Sequence, residues 1–444
     1  MTAQASRSRK TFFLNMGPAH PAMHGVIRLI LELEGELIRS AEVEIGYLHR
    51  AFEKHAESAT WNNVVPYTDR LNYVSPLINN VGYCMAVEKL AGLDVPERGR
   101  YLRVIASELS RATDHLTCVG ANAMELGAFT VFLYLMEARE FLYQLIDDLT
   151  GARVTTDYAR VGGVKADLPE GFARKCLDAF TRIRRAVADS EALLTKNRIF
   201  LDRVEGVGVL SRADALAYGI TGPFLRSTGV PYDVRRAHPY LIYDRLEFEI
   251  PVGKHGDNLD RYLVRLAEIE QSLLIVEQCL RQLPEGAHSL SPGEMKEAFE
   301  LVDMGKAGGT ALLSRCQART CRTLEGTGRG SAAGVMVQEP AFVMPPKEET
   351  YGSIEGLMNQ FELVMWSWGA RIPAGEAYHA VEGGNGELGF HVVSDGSDRP
   401  YRVRCRPPCL FIMAALPKLL RGAYVADVVA TFGSVNMIAG ELDR

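Results

Sequence analysis

The sequence has no apolar run long enough to cross a membrane. Its longest uncharged stretch runs from Leu71 to Val87 and contains three asparagines, a proline and a glycine, which make it too polar for a transmembrane helix. The apolar run Leu126–Met136 is too short, and Glu137 follows it at once. We therefore predict that the chain has no transmembrane segment of its own and works at a membrane only through other proteins.

Long basic runs and the common cofactor motifs are also missing. A formal net charge of −6 without a long run of lysine and arginine gives no case for nucleic-acid binding. No phosphate loop, nucleophile elbow or dinucleotide fingerprint is present, so hydride transfer from a cofactor bound to this chain is not supported. The eight cysteines are scattered and no secretory signal is recognisable, which is typical of reduced thiols in a cytoplasmic-type compartment.

The side chains that most often bind metals are not spaced for it. The pairs Cys316/Cys321 and Cys405/Cys409 have no partner pairs at zinc or iron–sulfur spacing. His20 and His24 are four residues apart, but the intervening Pro21 argues against the helix on which they could chelate together. We predict that the chain binds no metal.

What is present is a change of hydrophobic period along the chain. Apolar and charged residues alternate from Val26 to Ile45 around Gly35-Glu36, which predicts a β-hairpin. Residues 206–251 are interpreted as ordered loop and short strand. Helical periodicity predicts helices near 81–92, 96–121, 122–150, 169–197, 256–283 and 417–422. Short alternating segments predict strands at 376–382, 389–394 and 401–406.

The predicted fold class is therefore α+β. It has an N-terminal hairpin and sheet region, a central helical bundle and small strands at the C-terminal end. The predicted divisions are a disordered tail at 1–14, an N-terminal α/β region with a shaped loop at 15–80, a helical bundle with ordered loops at 81–284, a glycine-rich insertion at 285–345 and a C-terminal α/β region at 346–444.

Proton-capable side chains in apolar surroundings are the main chemical signal: His24, Tyr73, His115 and Glu125. A neutral imidazole and a phenol both donate hydrogen bonds to carbonyl oxygens and both release protons. Reduction of a carbonyl-bearing headgroup with electrons from elsewhere needs such groups. The residues alone leave open the simpler reading, in which they are satisfied polar groups of the core.

Several segments carry a family resemblance. They are NMGPAHPAMHGV at 15–26, IGYLHRAFEK at 45–54, RVGGV at 160–164, YDVR at 232–235, VSDG at 393–396, PYRV at 400–403 and GELDR at 440–444. Together they closely resemble the D-type (49 kDa-type), quinone-site subunit of NADH–quinone oxidoreductase, respiratory complex I, over nearly the whole chain outside 285–345. That family shares its fold with the large subunit of [NiFe] hydrogenases.

The resemblance implies roles for five residues. His24 and Tyr73 match the pair that hydrogen-bonds the quinone headgroup and is a proton source for it, and Arg70 and Ser75 match positions on the same cavity wall. Arg50 resembles the arginine beside the terminal [4Fe–4S] cluster, which the neighbouring B-type subunit holds. A cation there favours the reduced, more negative cluster.

Three positions depart from the family pattern. Glu125 stands where an aspartate usually pairs with the second histidine, so pairing with His24 is expected with one extra methylene. Asn72 replaces the aspartate of the usual Arg-Leu/Met-Asp-Tyr, which removes a charge near the cavity. Thr155 stands where many members have a histidine close to the cluster, which is expected to weaken proton-coupled tuning of the cluster potential.

The implied function is that of a peripheral-arm subunit of a proton-pumping NADH–quinone oxidoreductase, on the cytoplasmic side of the inner membrane. The chain would bind no cofactor alone, quinone would be the substrate, and its partners would be the B-type, C-type and membrane H-type subunits. Two alternatives are a non-catalytic scaffold of a related complex and a hydrogenase-type large subunit without a nickel site. The second is disfavoured, because nickel needs thiolate ligands from two Cys-x-x-Cys motifs and the sequence has none. The sequence does not distinguish ubiquinone from menaquinone as the substrate, or NADH from ferredoxin as the electron donor.

Overall fold

The computed structural model describes residues 11–20, 25–284, 345, 347–365 and 370–444. A three-stranded antiparallel sheet in the order β1-β2-β3 opens this part of the chain. Its strands are β1 (Phe12–Met16), β2 (Arg28–Glu34) and β3 (Leu37–Glu44). The predicted hairpin is confirmed, with Leu29, Leu31 and Leu33 on the buried face of β2.

Strand β1 corrects one prediction. It begins at Phe12, inside the segment 1–14 that was predicted to be a tail. Pairing of Phe12 with Leu33 and of Met16 with Leu29 orders these residues, although Phe12 and Phe13 keep exposed rings. A strand whose large apolar side chains face solvent gives no local alternation to detect, because only the ladder with β2 defines it.

Six helices and a small ribbon follow. They are α1 (Phe52–Ser58), α2 (Val65–Thr68), α3 (Pro76–Ala91), α4 (Glu97–Glu125), α5 (Phe129–Thr150), β4 (Ala159–Arg160), β5 (Gly163–Val164) and α6 (Phe172–Leu194). Helix α4 packs against α5, and α5 packs against α6. Helix α3 begins at Pro76, before the predicted limit, because proline suits the first turn of a helix.

The segment 206–251 differs from its prediction. It contains helical turns and no strand, so the predicted short strand is wrong. Each piece is too short for a recognisable period, and several begin at a side-chain cap such as Ser211 or Asp233. The elements of this segment are α8 (Arg212–Ala217), α9 (Gly222–Ser227), α10 (Val234–Ala237) and a 3₁₀ turn, Tyr243–Arg245. Helix α7 (Arg198–Val204) precedes it.

The remaining elements complete the bundle and add a second small sheet. Helix α11 packs along α4. The sheet order is β6-β7-β8, and the C-terminal helix predicted near 417–422 begins earlier, at Pro408. The bounds are α11 (Asn258–Gln282), α12 (Lys347–Gly352), α13 (Ile354–Val364), β6 (Gly375–Glu382), β7 (Glu387–Ser394), β8 (Arg402–Arg406), α14 (Pro408–Leu420), α15 (Val425–Val435) and α16 (Ala439–Leu442).

Two apolar cores meet at the segment before α3. The larger core joins the helical bundle to the second sheet, and the smaller one lies between the first sheet and α14 to α16. Leu71 and Leu77 belong to the larger core, whereas Tyr73 and Val74 pack against the smaller one. The predicted α+β class is confirmed. Apart from the tail, which strand β1 shortens, the division into five regions stays a prediction. No helix in the described ranges combines the length and apolar character that a membrane span requires.

Candidate functional site

The loop that follows β1 has a shape that depends on Gly17. This residue has φ +98°, and a Cβ there would lie 1.9 Å from the carbonyl oxygen of Ile27, so a side chain is excluded on both grounds. Residues 21–24 are outside the described part, and with them His24. Its predicted contacts with a quinone headgroup and with Glu125 therefore stay predictions. His20 is described and is half-buried.

Asp443 forms hydrogen bonds with the segment that carries Arg50. Its carboxylate accepts hydrogen bonds from the backbone amides of Gly46 (3.0 Å) and Leu48 (2.8 Å). The Nδ1 atom of His49 lies 2.6 Å from the carbonyl oxygen of Asp443. Because both carboxylate oxygens are engaged across almost the whole length of the sequence, the 46–50 turn and the C-terminal segment form one structural unit.

The two predicted arginines lie at this junction. The Arg50 guanidinium donates to the carbonyl oxygen of Arg70, and both side chains are exposed. A Cβ at Gly440 would lie 2.6 Å from the Arg70 carbonyl oxygen and 2.7 Å from a guanidinium nitrogen of Arg50. Only glycine therefore allows α16 to approach so closely. The structure brings Arg50 and Arg70 together, while the roles predicted for them at the cluster and on the cavity wall stay predictions.

Tyr73 lies beside this pair and is half-buried. Burial raises the pKa of its phenol, the positive charge of Arg50 opposes the rise, and Cys409 adds to it. The backbone amide of Ala439 also acts on the phenolic oxygen and favours its ionised form. Tyr73 is thus a neutral phenol near pH 7, able to donate a hydrogen bond and to give up a proton when a strong base forms next to it.

Ser75 is more deeply placed than a residue that faces an open cavity. It is buried, and its hydroxyl donates to Asp114 at 2.9 Å. The amide of Asn72 donates to the same carboxylate oxygen at 3.1 Å. The negative charge that Asn72 lacks is therefore supplied by Asp114, a residue that the sequence reasoning missed. Its position inside a helical pattern gave no signal for a contact with residues 72 and 75.

Glu125 is the last residue of α4 and is half-buried. Its carboxylate lies against α15, where a Cβ at Gly433 would be 2.4 Å from Oε2 and 3.1 Å from the amide oxygen of Asn122. The Glu125 side chain therefore occupies the corner between α4 and α15, whereas the pair of Arg50 and Arg70 lies against α16.

His115 belongs to a separate buried ionic network. Its Nε2 lies 2.8 Å from Glu268 Oε2, without the alignment of a hydrogen bond. Burial would raise the pKa of Glu268, but the charge of Arg226 and the interaction with His115 lower it to about 2. This histidine is therefore placed in the core of the bundle and not beside Tyr73. The network consists of Glu108, Arg111, His115, Arg226, Asp233, Arg235, Glu268 and Glu382.

The thiols in the described ranges do not form a ligand set for a metal ion. Cys405 and Cys409 are buried, and burial raises the pKa of both well above the ordinary range, so both are protonated. Cys316 and Cys321 lie outside the described residues. Within the part of the chain that is described, no group of three histidine, cysteine, aspartate or glutamate side chains is arranged to hold a metal ion.

Replacement of Asp443 by alanine tests whether its hydrogen bonds to Gly46 and Leu48 hold the 46–50 turn; we call these two bonds the clamp. We expect Asp443→Ala to destabilise the 46–50 turn by about 2–3 kcal/mol, because two charge-assisted hydrogen bonds are lost. Hydrogen exchange of the Gly46 and Leu48 amides, followed by mass spectrometry, should accelerate by more than about tenfold. Asp395→Ala is the control, since Asp395 accepts a hydrogen bond within its own turn, from the backbone amide of Ser397. Unchanged exchange at residues 46–48 would contradict the clamp.

The family model and the relatives found by comparison with known proteins name the same subunit family. The family model described as respiratory-chain NADH dehydrogenase, 49 Kd subunit, matches residues 125–303 and 322–444. A D-type subunit of NADH-quinone oxidoreductase from Sorangium cellulosum is 48% identical over 442 residues, which cover 100% of this chain and 98% of the relative.

Two further relatives extend the comparison. The D-type subunit of NADH-quinone oxidoreductase from Myxococcus xanthus is 46% identical over 435 residues, with 98% of this chain and 93% of the relative covered. A protein of Bdellovibrio bacteriovorus, whose name joins the C and D types of the same oxidoreductase, is 43% identical over 431 residues. These are 97% of this chain and 68% of that longer protein.

Proposed function

The chain belongs to the 49 kDa subunit family of respiratory-chain NADH dehydrogenase, and we propose that it forms, with a B-type iron–sulfur subunit, the chamber in which such a complex reduces quinone. The observation that carries the proposal is the junction of Tyr73, Arg50 and Arg70. There a half-buried neutral phenol lies beside an exposed pair of guanidinium groups.

The electrons come from the partner. Quinone accepts two electrons and two protons to become quinol, and the electrons arrive singly from the [4Fe–4S] cluster of the B-type subunit. In this proposal Arg50 lies near the cluster, and its positive charge stabilises the more negative, reduced cluster. Tyr73 and His24 donate hydrogen bonds to the two carbonyl oxygens of the headgroup and supply the first protons. Arg70, Ser75 and Glu125 support the wall of the chamber.

Exposed apolar side chains close in sequence to the arginine pair support a partner surface. Ile45, Tyr47 and Tyr67 are each at least 40% exposed and lie in the two segments that carry Arg50 and Arg70. Apolar residues gathered around charged ones are typical of an interface. We assign this face to the B-type subunit. A C-type partner is suggested by the relative whose name joins the C and D types, and a membrane protein of the H type is the third proposed neighbour.

The subunit is thereby peripheral, on the cytoplasmic side of the inner membrane, in a proton-translocating NADH:quinone oxidoreductase. Coupling of quinone reduction to proton transport lies in membrane subunits outside this chain. The rival proposal is a scaffold without quinone chemistry, since a fold can persist after its site has changed. The positions Asn72, Glu125 and Thr155 favour that rival, whereas the retained Tyr73 junction favours catalysis.

Quinone reductase activity of the assembled complex separates these two functions. We expect His24→Ala and Tyr73→Phe each to lower NADH:quinone reductase activity at least about tenfold, which corresponds to about 1.4 kcal/mol of transition-state stabilisation. Tyr401→Phe is the matched control, because Tyr401 is 67% exposed and lies in another segment.

Assembly is checked in the same preparations. Electron transfer from NADH to an artificial acceptor that reacts upstream of the quinone site should be equal in all variants. Wild-type quinone reductase activity in both His24→Ala and Tyr73→Phe would overturn the site and leave the scaffold function.

A further inference from the structure

The turn that carries Tyr73 is hydrogen-bonded at both of its ends to one carboxylate, that of Asp114 on α4. Asp114 is fully buried. Its Oδ2 accepts from Asn72 Nδ2 at 3.1 Å and from Ser75 Oγ at 2.9 Å. These two donors stand on either side of Tyr73 in the sequence. We call residues 72–75 the Tyr73 turn, and a single carboxylate oxygen holds its two ends together.

Asn72 shapes the backbone of this turn. Its Oδ1 accepts from the backbone amides of Val74 (3.1 Å) and Ser75 (3.2 Å), which is the pattern of an Asx turn. Asn79, in the first turns of α3, donates to the Asn72 carbonyl oxygen at 3.0 Å. Because Asn72 Nδ2 donates to Asp114, the amide group cannot rotate without losing bonds on both of its sides. The backbone on either side of Tyr73 is therefore restrained.

The same carboxylate also reaches the segment that lies against the Tyr73 side chain. Its second oxygen, Oδ1, accepts from Asn436 Nδ2 at 2.9 Å. Asn436 follows α15 with φ +56°. Residues 437–439, which come next, belong to the smaller core against which Tyr73 packs. Asp114 thus joins the turn that bears the phenol to the segment that packs against it.

The position needs a carboxylate and not merely a side chain of this shape. Asparagine has one accepting atom, so either orientation of its amide at position 114 places an N–H group against Asn72 Nδ2 or Asn436 Nδ2. Asn436 cannot rotate freely either, because its Nδ2 also donates to Asn385 Oδ1 at 2.6 Å. A Cβ at Gly384 would lie 2.1 Å from Asp114 Oδ2. The β6–β7 turn therefore closes over the carboxylate and leaves no room for it to move.

We propose that Asp114 is a positioning residue for quinone reduction, whose carboxylate fixes the Tyr73 turn against residues 436–439 and so holds the phenol in place at the quinone headgroup. This inference rests on the proposed quinone chemistry. Asp114 acts through its three donors and takes no proton from the substrate. Displacement of a reacting group by about 1 Å lowers a rate by about a hundredfold, so a turn released at one end is expected to cost turnover.

The test measures kcat and KM for quinone in the assembled complex, normalised to electron transfer from NADH to an artificial acceptor upstream of the quinone site. We expect Asp114→Asn to lower kcat at least about tenfold and to change KM less than about twofold. Hydrogen exchange of the Val74 and Ser75 amides should accelerate in the same variant. A role in stability alone would reduce the amount of assembled complex and leave its kcat unchanged.

Exchange of the two facing side chains provides a rescue. In the double variant Asn72→Asp with Asp114→Asn, the new carboxylate still accepts from the amides of Val74 and Ser75. The new amide donates to that carboxylate and accepts from Asn436. We expect this variant to recover kcat to within about threefold of wild type, whereas Asn72→Asp alone should lower kcat, because it places two carboxylates in contact. An exchange variant no more active than Asp114→Asn would overturn the proposal.

Asp260→Asn is the matched control. Asp260 is also buried, and its Oδ2 accepts from the backbone amides of Lys254, His255 and Gly256. The variant therefore weakens a comparable set of hydrogen bonds at the start of α11, which does not carry the Tyr73 turn. We expect its kcat to stay within about twofold of wild type. An equal fall of kcat in Asp260→Asn and Asp114→Asn would overturn the positioning role.

The remaining outcomes separate this inference from the function on which it rests. Wild-type kcat in Asp114→Asn, with activity lost in Tyr73→Phe, would overturn the positioning role alone. Wild-type activity in both variants would remove the quinone site as well. If Asp114→Asn fails to assemble, Ser75→Ala decides, because it removes one of the three donors and keeps the charge. A kcat lowered about threefold with faster exchange of the Val74 amide supports the proposal, and wild-type kcat overturns it.

Discussion

Replacement of Arg226 by methionine is expected to cost about 3–5 kcal/mol of folding free energy, because it leaves buried carboxylates without their cation. The Arg226 side chain is fully buried, and its guanidinium donates to Glu268 at 2.7 Å and to Glu382 at 2.8 Å. Asp233 lies 3.5 Å away. Methionine keeps most of the apolar volume, so the loss reports charge and hydrogen bonding more than a cavity.

This arginine joins elements that are far apart in the sequence. It lies on α9, Glu268 lies on α11, and Glu382 ends β6. The three-way contact holds the 206–251 segment against the bundle and the second sheet. We therefore expect Arg226→Met to lower the urea midpoint of unfolding. We also expect the amides in the helical turns of this segment to lose protection from hydrogen exchange.

The measurement is urea unfolding followed by circular dichroism, with Arg184→Met as the matched control. Arg184 pairs with Glu270 at 2.8 Å, but its side chain is 35% exposed, so its removal should change stability by less than about 1 kcal/mol. A second change, Glu268→Gln, should recover part of the loss in Arg226→Met, because it removes an uncompensated charge. Equal effects of the two methionine variants would contradict this account.

The same network shows why parts of the fold resisted prediction. Long helices such as α4 and α5 are visible in the sequence through their period and their glycine or proline limits. The turns α9 and α10 have no such period, since contacts of Arg226 and Arg235 with distant carboxylates place them. Strand β1 was missed for a similar reason, because only its pairing with β2 defines it.

The candidate site also contains residues that the local sequence indicates and residues that only distant contacts place. Arg50, Arg70 and Tyr73 lie within or beside segments that carry the family resemblance, so each could be singled out from the sequence, whereas the contact between Arg50 and Arg70 could not. The place of Asp114 could not be predicted, because its partners lie between 39 and 322 residues away and no local pattern marks the contact. The position of His24 and its pairing with Glu125 stay predictions.

Acid should remove the contribution of Glu268 to stability. The folded-state pKa of about 2 lies below the ordinary value of 4.5, so the stabilisation is complete above about pH 4.5 and is lost as pH falls towards 2. The difference corresponds to about 3 kcal/mol at neutral pH. Glu382 acts in the opposite direction, because burial and the neighbouring Asp233 raise its pKa. Its protonation relieves charge as acid is added.

These opposed signs predict the shape of the stability curve. As pH falls from neutral towards the ordinary glutamate value of 4.5, protonation of Glu382 should keep the free energy of unfolding level or slightly raise it, because its pKa is raised. Below about pH 4.5, the free energy should fall as Glu268 is protonated and Arg226 loses its partner. Urea midpoints at several pH values should show the gap between wild type and Glu268→Gln closing by about 3 kcal/mol as pH falls from about 6 towards about 2.

A matched glutamate at the surface separates the network from general acid denaturation. Arg153 lowers the pKa of Glu140 as well, but both side chains of that pair are more than 40% exposed, so solvent screens the interaction and Glu140→Gln should close a gap of less than about 1 kcal/mol. If the free energies of unfolding of both glutamine variants approach that of wild type by the same amount as pH falls, buried pairing is not the source of acid sensitivity. Convergence only in Glu268→Gln assigns it to the ion pairs that hold α9, α11 and β6 together.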